Sequence, residues 1–291
     1  MIVVIPCWRR PAFLAACLTR IQCARGAKKQ RYMFCVDHDA DPRVHEVIKS
    51  FDLPYDLFDR SLYDERRFEG PRYNILEGYG NALSLIGMKP YAGELVALIE
   101  EDVLVSDDIF EFFEDAHALA GPDQPCVNAC RNQNIGINVE KLVLKTGGAT
   151  TIYPHKSYQS MAVCHRADFV DEFLCHTTDD AYYKDPISYC REHLFDAGLP
   201  SGAASQDGLI HRVIRGSHRY TIYPTEPRAF HAGWWGYNRE EGTRLVDGGW
   251  REQAEWILQA SNDQMNALAD PRFRDIARCP LIRTRQTLKM V

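Results

Sequence analysis

Five apolar residues in unbroken succession, Leu95-Val96-Ala97-Leu98-Ile99, run straight into three acids, Glu100-Glu101-Asp102. A short continuous apolar run reads as a strand buried on both faces, the kind found in a parallel sheet with helices on either side. The acids at its end are the stronger constraint. Burying carboxylates without a positive partner is costly, so something cationic must stand against them. A hard divalent ion is the economical candidate, because carboxylate oxygens suit Mg2+ or Mn2+. The plainer alternative is that the acids only serve the start of the helix that follows.

The rest of the front half has the matching rhythm. Residues 2–6, Ile-Val-Val-Ile-Pro, read as a buried strand stopped by Pro6. Pro11 suits a first helical turn, and Leu14, Cys17, Leu18 and Ile21 follow at helical spacing. Tyr32–Val36 is a second apolar strand, and Pro42 opens a helix with Val44, Val47, Ile48 and Phe51 facing inward. A third strand is expected around Tyr55–Phe58 and a helix over Tyr73–Met88. Ser106 offers a capping hydroxyl, with Asp107 and Asp108 in dipole-favoured places ahead of Ile109, Phe110, Phe113 and Ala116. Strands alternating with helices predict an α/β fold.

Beyond about residue 120 the alternation fades. Cys126–Ala129, Ser160–Cys164 and Arg219–Tyr223 are candidate strands, with loop expected around Gly147-Gly148-Ala149. Ser205-Gln206-Asp207 starts a helix that turns Leu209, Ile210, Val213 and Ile214 inward and closes at Gly216. Trp250–Leu268 is a long amphipathic helix. No internal repeat or forced linker divides the chain, so residues 1–291 read as a single unit.

Composition narrows the function classes. The 291 residues are 45% hydrophobic and 25% charged, in the range of ordinary globular proteins. A formal net charge of −6 gives no overall attraction to phosphate backbones or anionic membranes. The 10 cysteines are irregularly spaced without a CxxC pair, which favours buried reduced thiols over a disulfide framework. No stretch approaches the about 20 apolar residues of a transmembrane helix, and the opening residues lack a secretory pattern. A cytoplasmic protein is the expectation. No GxGxxG follows the first strand, which disfavours a dehydrogenase. Pro42 stands where a calcium-binding loop over Asp37, Asp39 and Asp41 would need glycine.

Three segments taken in order carry a resemblance: IPCWRRPAFL at the first strand, CVDHDADP at the second and LVALIEEDVLVSDDIF at the acidic strand. Together they resemble the GT-A glycosyltransferases, nucleotide-sugar enzymes of the family 2 type and its relatives. The acidic segment is similar to the EDD form of the family's DxD motif. The resemblance spreads from Met1 to about residue 115, with echoes at 205–212 and 226–239.

What the resemblance implies is an α/β GT-A (Rossmann-like) fold, with a mostly parallel central sheet and helices on both faces. Residues 1–118 would form the nucleotide-sugar half and 119–291 the acceptor half with the C-terminal helices. Pro6, Cys7 and Arg9 would line the nucleotide pocket, and Asp37 would accept a hydrogen bond from the base. Asp102 would bind Mn2+ or Mg2+, with Glu100 facing the ribose or the metal's waters and Glu101 beside them. Arg72 or Asn81 would reach the nucleotide or sugar. His231, in a Gly- and aromatic-rich loop expected after the late strand, would complete the metal shell or touch the diphosphate. Asp207 would be the catalytic base of an inverting transfer, with Gln206 where the family commonly has a first acid, although a first-turn acid needs no such role.

Trp234, Trp235 and Tyr237 offer flat surfaces to an acceptor sugar or base, or anchors for the last helix. The donor implied is a UDP-sugar, and the acceptor is open among sugar, lipid, protein and modified nucleic acid. The basic stretch Arg272, Arg274, Arg278, Arg283, Arg285 and Lys289 reads as a solvated tail, or as a contact for an anionic acceptor. Two alternatives stand beside a glycosyltransferase. One is a nucleotidyltransferase, against which Cys7-Trp8-Arg9-Arg10-Pro11 lacks the usual Gly-rich loop; the other is a non-catalytic binding relative.

Overall fold

The computed structural model describes residues 1–36, 40–59, 93–130, 151–177, 181, 185–194, 206–233, 248–267 and 289–290. The expected helix over Tyr73–Met88, the loop around Gly147 and the basic residues from Arg272 to Arg285 lie outside the described residues.

The first strand, β1 (Ile2–Cys7), is buried along its whole length. Its alternating side chains supply two cores. Val3, Ile5 and Cys7 pack with α1 (Pro11–Cys23), α2 (Arg43–Ser50), α3 (Ile109–Ala120) and α7 (Trp250–Ala267). Ile2 and Val4 pack on the other face with Phe169, Val170 and Phe173 of α4 (Ala167–Thr177), Tyr189 and Cys190 of α5 (Pro186–His193), and Leu209 and Ile210 of α6 (Gln206–Gly216). Each fully buried aliphatic or aromatic side chain contributes about 1.5–3 kcal/mol, so the strand is fixed from both sides. β1 also continues through Pro6, where the sequence reading stopped it. The rungs to the neighbouring strand β4 (Leu95–Ile99) end at Val4↔Leu98, so a proline beyond them withdraws no donor on that side.

β1 pairs in parallel with β2 (Arg31–Val36), and β2 with β3 (Tyr55–Asp59). On its other side β1 pairs in parallel with β4. Strand order therefore reverses at β1, and the crevice beyond the carboxyl ends of β1 and β4 is the place where open α/β sheets bind ligands. The sheet continues from β4 through β8 (Ala162–Arg166), β6 (Cys126–Asn128), β9 (Thr221–Pro224) and β7 (Thr151–His155) to β11 (Lys289–Met290). Among the described residues the result is a nine-stranded, mostly parallel sheet with helices on both faces, the architecture expected.

Four further sequence expectations change. Where the alternation was expected to fade, the described residues hold regular elements, β7, α4 and α5. Ser106 does not cap α3; its hydroxyl donates to the Asp108 carboxylate at 2.6 Å, and the helix starts without a side-chain cap. The segment around His231, expected as loop, is strand β10 (Ala229–His231), paired antiparallel with β5 (Val103–Val105) in a separate two-stranded ribbon. Each strand is three residues long, too short to show a period, and forms because the other is present. At the chain's end, Lys289 and Met290 pair with Thr151 and Ile152, so these two residues belong to the sheet rather than to a tail.

Candidate active site

The site grows out of the strand reversal. Register between β1 and β4 brings the residues after Cys7 abreast of the acids after Ile99. The Trp8 backbone N–H donates to Glu101 Oε2 at 2.9 Å, and Arg10 Nε donates to Glu101 Oε1 at 2.8 Å. The same guanidinium reaches Asp102 Oδ2 through Nη1 at 2.5 Å. Glu101 and Asp102 are each only 2% exposed. The positive charge that the sequence argument required is therefore present in the fold, and it is Arg10. Sequence reasoning singled out Arg9 instead, whose guanidinium sits 4.8 Å from the Trp8 ring on the exposed side. The signal lay in the need for a cation and in two arginines on the adjacent strand end; which of them turns inward is set by the fold.

The ribbon delivers the other half of the site. In its register His231 faces Val103, and the Ala232 N–H donates to the Asp102 carbonyl at 2.7 Å. This places His231 Nε2 at 3.1 Å from Asp102 Oδ2. Two residues more than a hundred positions apart, each singled out from sequence, thus meet. Gly233 comes next, and its lack of a side chain matters: a methyl there would run into the Asp102 carboxylate and the His231 imidazole.

Behind the ribbon, Arg228 is 1% exposed and donates through Nε to Asp108 Oδ2 at 3.0 Å, with Phe112 under its guanidinium. The Ser106 N–H donates to the Arg228 carbonyl and the Arg228 N–H to the Ala129 carbonyl, locking β10 to the rest of the fold. None of these partners was apparent in the sequence.

Glu100 stands at the half-buried rim, where Ser160 Oγ donates to its Oε1 at 2.7 Å. Pro6 and Cys7 are buried at the end of β1, and the Cys7 thiol donates to the Ile5 carbonyl. Asp207 lies in the first turn of α6, with its side chain outside the described residues. Asp37, Arg72, Asn81, Trp234, Trp235 and Tyr237 lie outside the described residues altogether.

The electrostatics follow from this packing. Burial works to raise Asp102, but the Arg10 charge and the bond from His231 outweigh it and hold the carboxyl down at about 2. Burial pushes Glu101 up, against the pull of Arg10 and the Trp8 N–H. For His231 burial favours the neutral ring, yet the bond to Asp102 and its charge raise the imidazole above its ordinary value.

A divalent ion fits this donor set. Asp102 Oδ1 is buried and has no hydrogen-bond partner, the His231 imidazole lies against the other oxygen, Oδ2, and Gly233 places no side chain against Oδ2 or His231 Nε2. Among the described residues no group of three or more His, Cys, Asp or Glu side chains forms a metal cage. A carboxylate completed by phosphate oxygens and water is the kind of shell a hard cation takes beside a nucleotide, and an imidazole adds a nitrogen ligand open to transition metals. None of the nine described cysteines is joined in a disulfide. No described helix is long and apolar enough to cross a membrane.

No protein-family model matches the chain, and no curated protein matches it either. Among solved structures, the galactosyltransferase LgtC in complex with donor and acceptor sugar analogs is similar at 12% identity and a TM-score of 0.47, over 77% of this chain and 73% of that one. The mannosyltransferase PcManGT from Pyrobaculum calidifontis, in complex with GDP-Man and Mn2+, is similar at 13% identity and a TM-score of 0.45, over 95% and 78%. A cytidylyltransferase from Leptospira borgpetersenii is similar at 10% identity and a TM-score of 0.36, over 66% and 70%.

Proposed function

We propose that the chain is a metal-dependent glycosyltransferase that moves a hexosyl or N-acetylhexosaminyl group from a nucleoside-diphosphate sugar, with UDP as the nucleotide, to a hydroxyl acceptor. The observation that carries this reading is the β5–β10 ribbon, which sets His231 beside Asp102 at the strand reversal while Asp102 Oδ1 keeps no protein partner. A divalent ion bound by Asp102 and His231 would supply Lewis acidity toward the departing diphosphate. Asp102, held ionised by Arg10, offers that ion a full negative charge.

Glu100 at the rim suits the ribose hydroxyls, and Arg9, exposed at the end of β1, suits the diphosphate. Asp37, the residue after β2, is the proposed base reader, with Arg72 or Asn81 toward the sugar. In the transfer, Asp207 takes the proton from the acceptor hydroxyl as its oxygen bonds to the anomeric carbon. The bond from that carbon to the diphosphate oxygen breaks, and the nucleoside diphosphate leaves, inverting the centre. The donor half is 1–118 and the acceptor half 119–291, with Trp234, Trp235 and Tyr237 toward the acceptor. Ten irregularly spaced cysteines without a CxxC pair suit the reducing cytoplasm as its compartment.

Incubation with a panel of nucleotide-sugars and Mn2+ tests the reading. Metal-dependent release of nucleoside diphosphate supports it. Release of pyrophosphate from a nucleoside triphosphate and a sugar phosphate instead identifies a nucleotidyltransferase. Asp207→Asn is expected to bind donor as the unaltered chain does and to lose transfer by about 10²–10⁴-fold; full transfer by that variant removes Asp207 as the base.

A further inference from the structure

Of the three acids, Glu101 is the most deeply tied into the protein. Both of its oxygens are occupied, Oε2 by the Trp8 N–H and Oε1 by Arg10 Nε, and the residue is 2% exposed. Each of its oxygens is thus already held by the protein, whereas Asp102 Oδ1 accepts no hydrogen bond. Arg10 in turn spans the two buried acids with one planar guanidinium, Nε on Glu101 and Nη1 on Asp102. A chain of contacts thus runs from the fixed backbone of β1 through Glu101 and Arg10 to Asp102 Oδ2. It ends on the carboxylate whose other oxygen, Oδ1, is buried and without a hydrogen-bond partner.

We infer that Glu101 and Arg10 are positioning residues rather than ligand-binding ones: a clamp that holds Asp102 by Oδ2 so that Oδ1 is presented to the divalent ion. The inference rests on the proposed function and deepens it, by separating the acid that binds from the acid that orients. The fork matters as much as the charge. A guanidinium can bond two carboxylates at once in a fixed plane, which the single ammonium of lysine does not reproduce. The order Glu-Glu-Asp then has a physical meaning: a rim acid, an anchor and a ligand.

The test is Mn2+ affinity, read from the electron paramagnetic resonance signal of free Mn2+ with and without UDP, alongside thermal melting to confirm folding. Asp102→Asn removes the ligand and is expected to weaken Mn2+ binding at least 100-fold. Arg10→Lys and Arg10→Gln are expected to weaken it about tenfold or more, with the lysine variant the better of the two. Glu101→Gln keeps one acceptor oxygen, and its loss is expected to stay below tenfold.

The decisive variant is the double Arg10→Gln/Glu101→Gln. It leaves no unpaired buried carboxylate at position 101, so it is expected to fold at least as well as Arg10→Gln and to bind Mn2+ no worse. Additive losses in the double variant, or a Glu101→Gln loss equal to that of Asp102→Asn, would make Glu101 a ligand and overturn the inference while leaving the glycosyltransferase reading intact. An unaltered chain that binds neither Mn2+ nor UDP overturns that reading and the inference with it.

Discussion

Asp102 takes its environment from three separate stretches of chain: Arg10 after β1, its own turn after β4, and His231 at the end of β10. Gly233 is the least tolerant position around it. Gly233→Ala is expected to weaken Mn2+ binding about 10–100-fold, since the methyl must displace either the carboxylate or the imidazole; an isothermal titration showing unchanged affinity would contradict the crowding. The sequence marked Asp102 and His231 for different reasons. Asp102 stood out because carboxylates at the end of a buried strand demand an explanation, whereas His231 stood out only through resemblance. Arg10 was missed because a sequence shows which residues end a strand, and pairing of charges across two strands depends on register. Register is a tertiary property.

At the level of elements, the long apolar segments were legible. β1, β2, β4, α1, α2 and α7 lie within a residue or two of where periodicity placed them. The ribbon was not legible, because two three-residue strands carry no period and owe their existence to each other. α4 was missed as well, although Phe169, Val170 and Phe173 repeat at helical spacing against β8 and β4. The ribbon's rigidity depends on the fully buried Arg228–Asp108 pair. Replacing one member leaves a buried charge, so Arg228→Met is expected to cost about 3–5 kcal/mol in urea denaturation, and the double variant Arg228→Met/Asp108→Asn should recover part of it. A single variant within about 0.5 kcal/mol of the unaltered chain would show that the pair does not brace β10.

Across the whole molecule, two buried histidines tie stability to pH. His117 of α3 bonds the Cys164 carbonyl at 3.0 Å, and burial brings it down to about 4; His165 of β8 meets Tyr158 Oη at 2.9 Å, and burial brings it down to about 3. Both are depressed below the ordinary value of about 6.5, so the unfolded chain binds the extra protons first. Their contribution is full above pH of about 6.5 and is lost as pH falls toward about 4 and then about 3. Between pH 7 and pH 5 the two together are expected to lower unfolding free energy by about 4 kcal/mol, measured by denaturant titration. His165→Phe, set among Phe169 and Phe173, should show about half that loss; an unchanged pH dependence would assign the effect elsewhere.

The account as a whole stands on a cation at the strand reversal. Anomalous diffraction at the manganese edge, from crystals soaked in MnCl2 and UDP, tests this most directly. One strong peak is expected within coordination distance of Asp102 Oδ1 and His231 Nε2, with diphosphate oxygens completing the shell and Arg10 still on Asp102 Oδ2. Nucleotide bound with no peak there, or a peak held by Glu101, would contradict it.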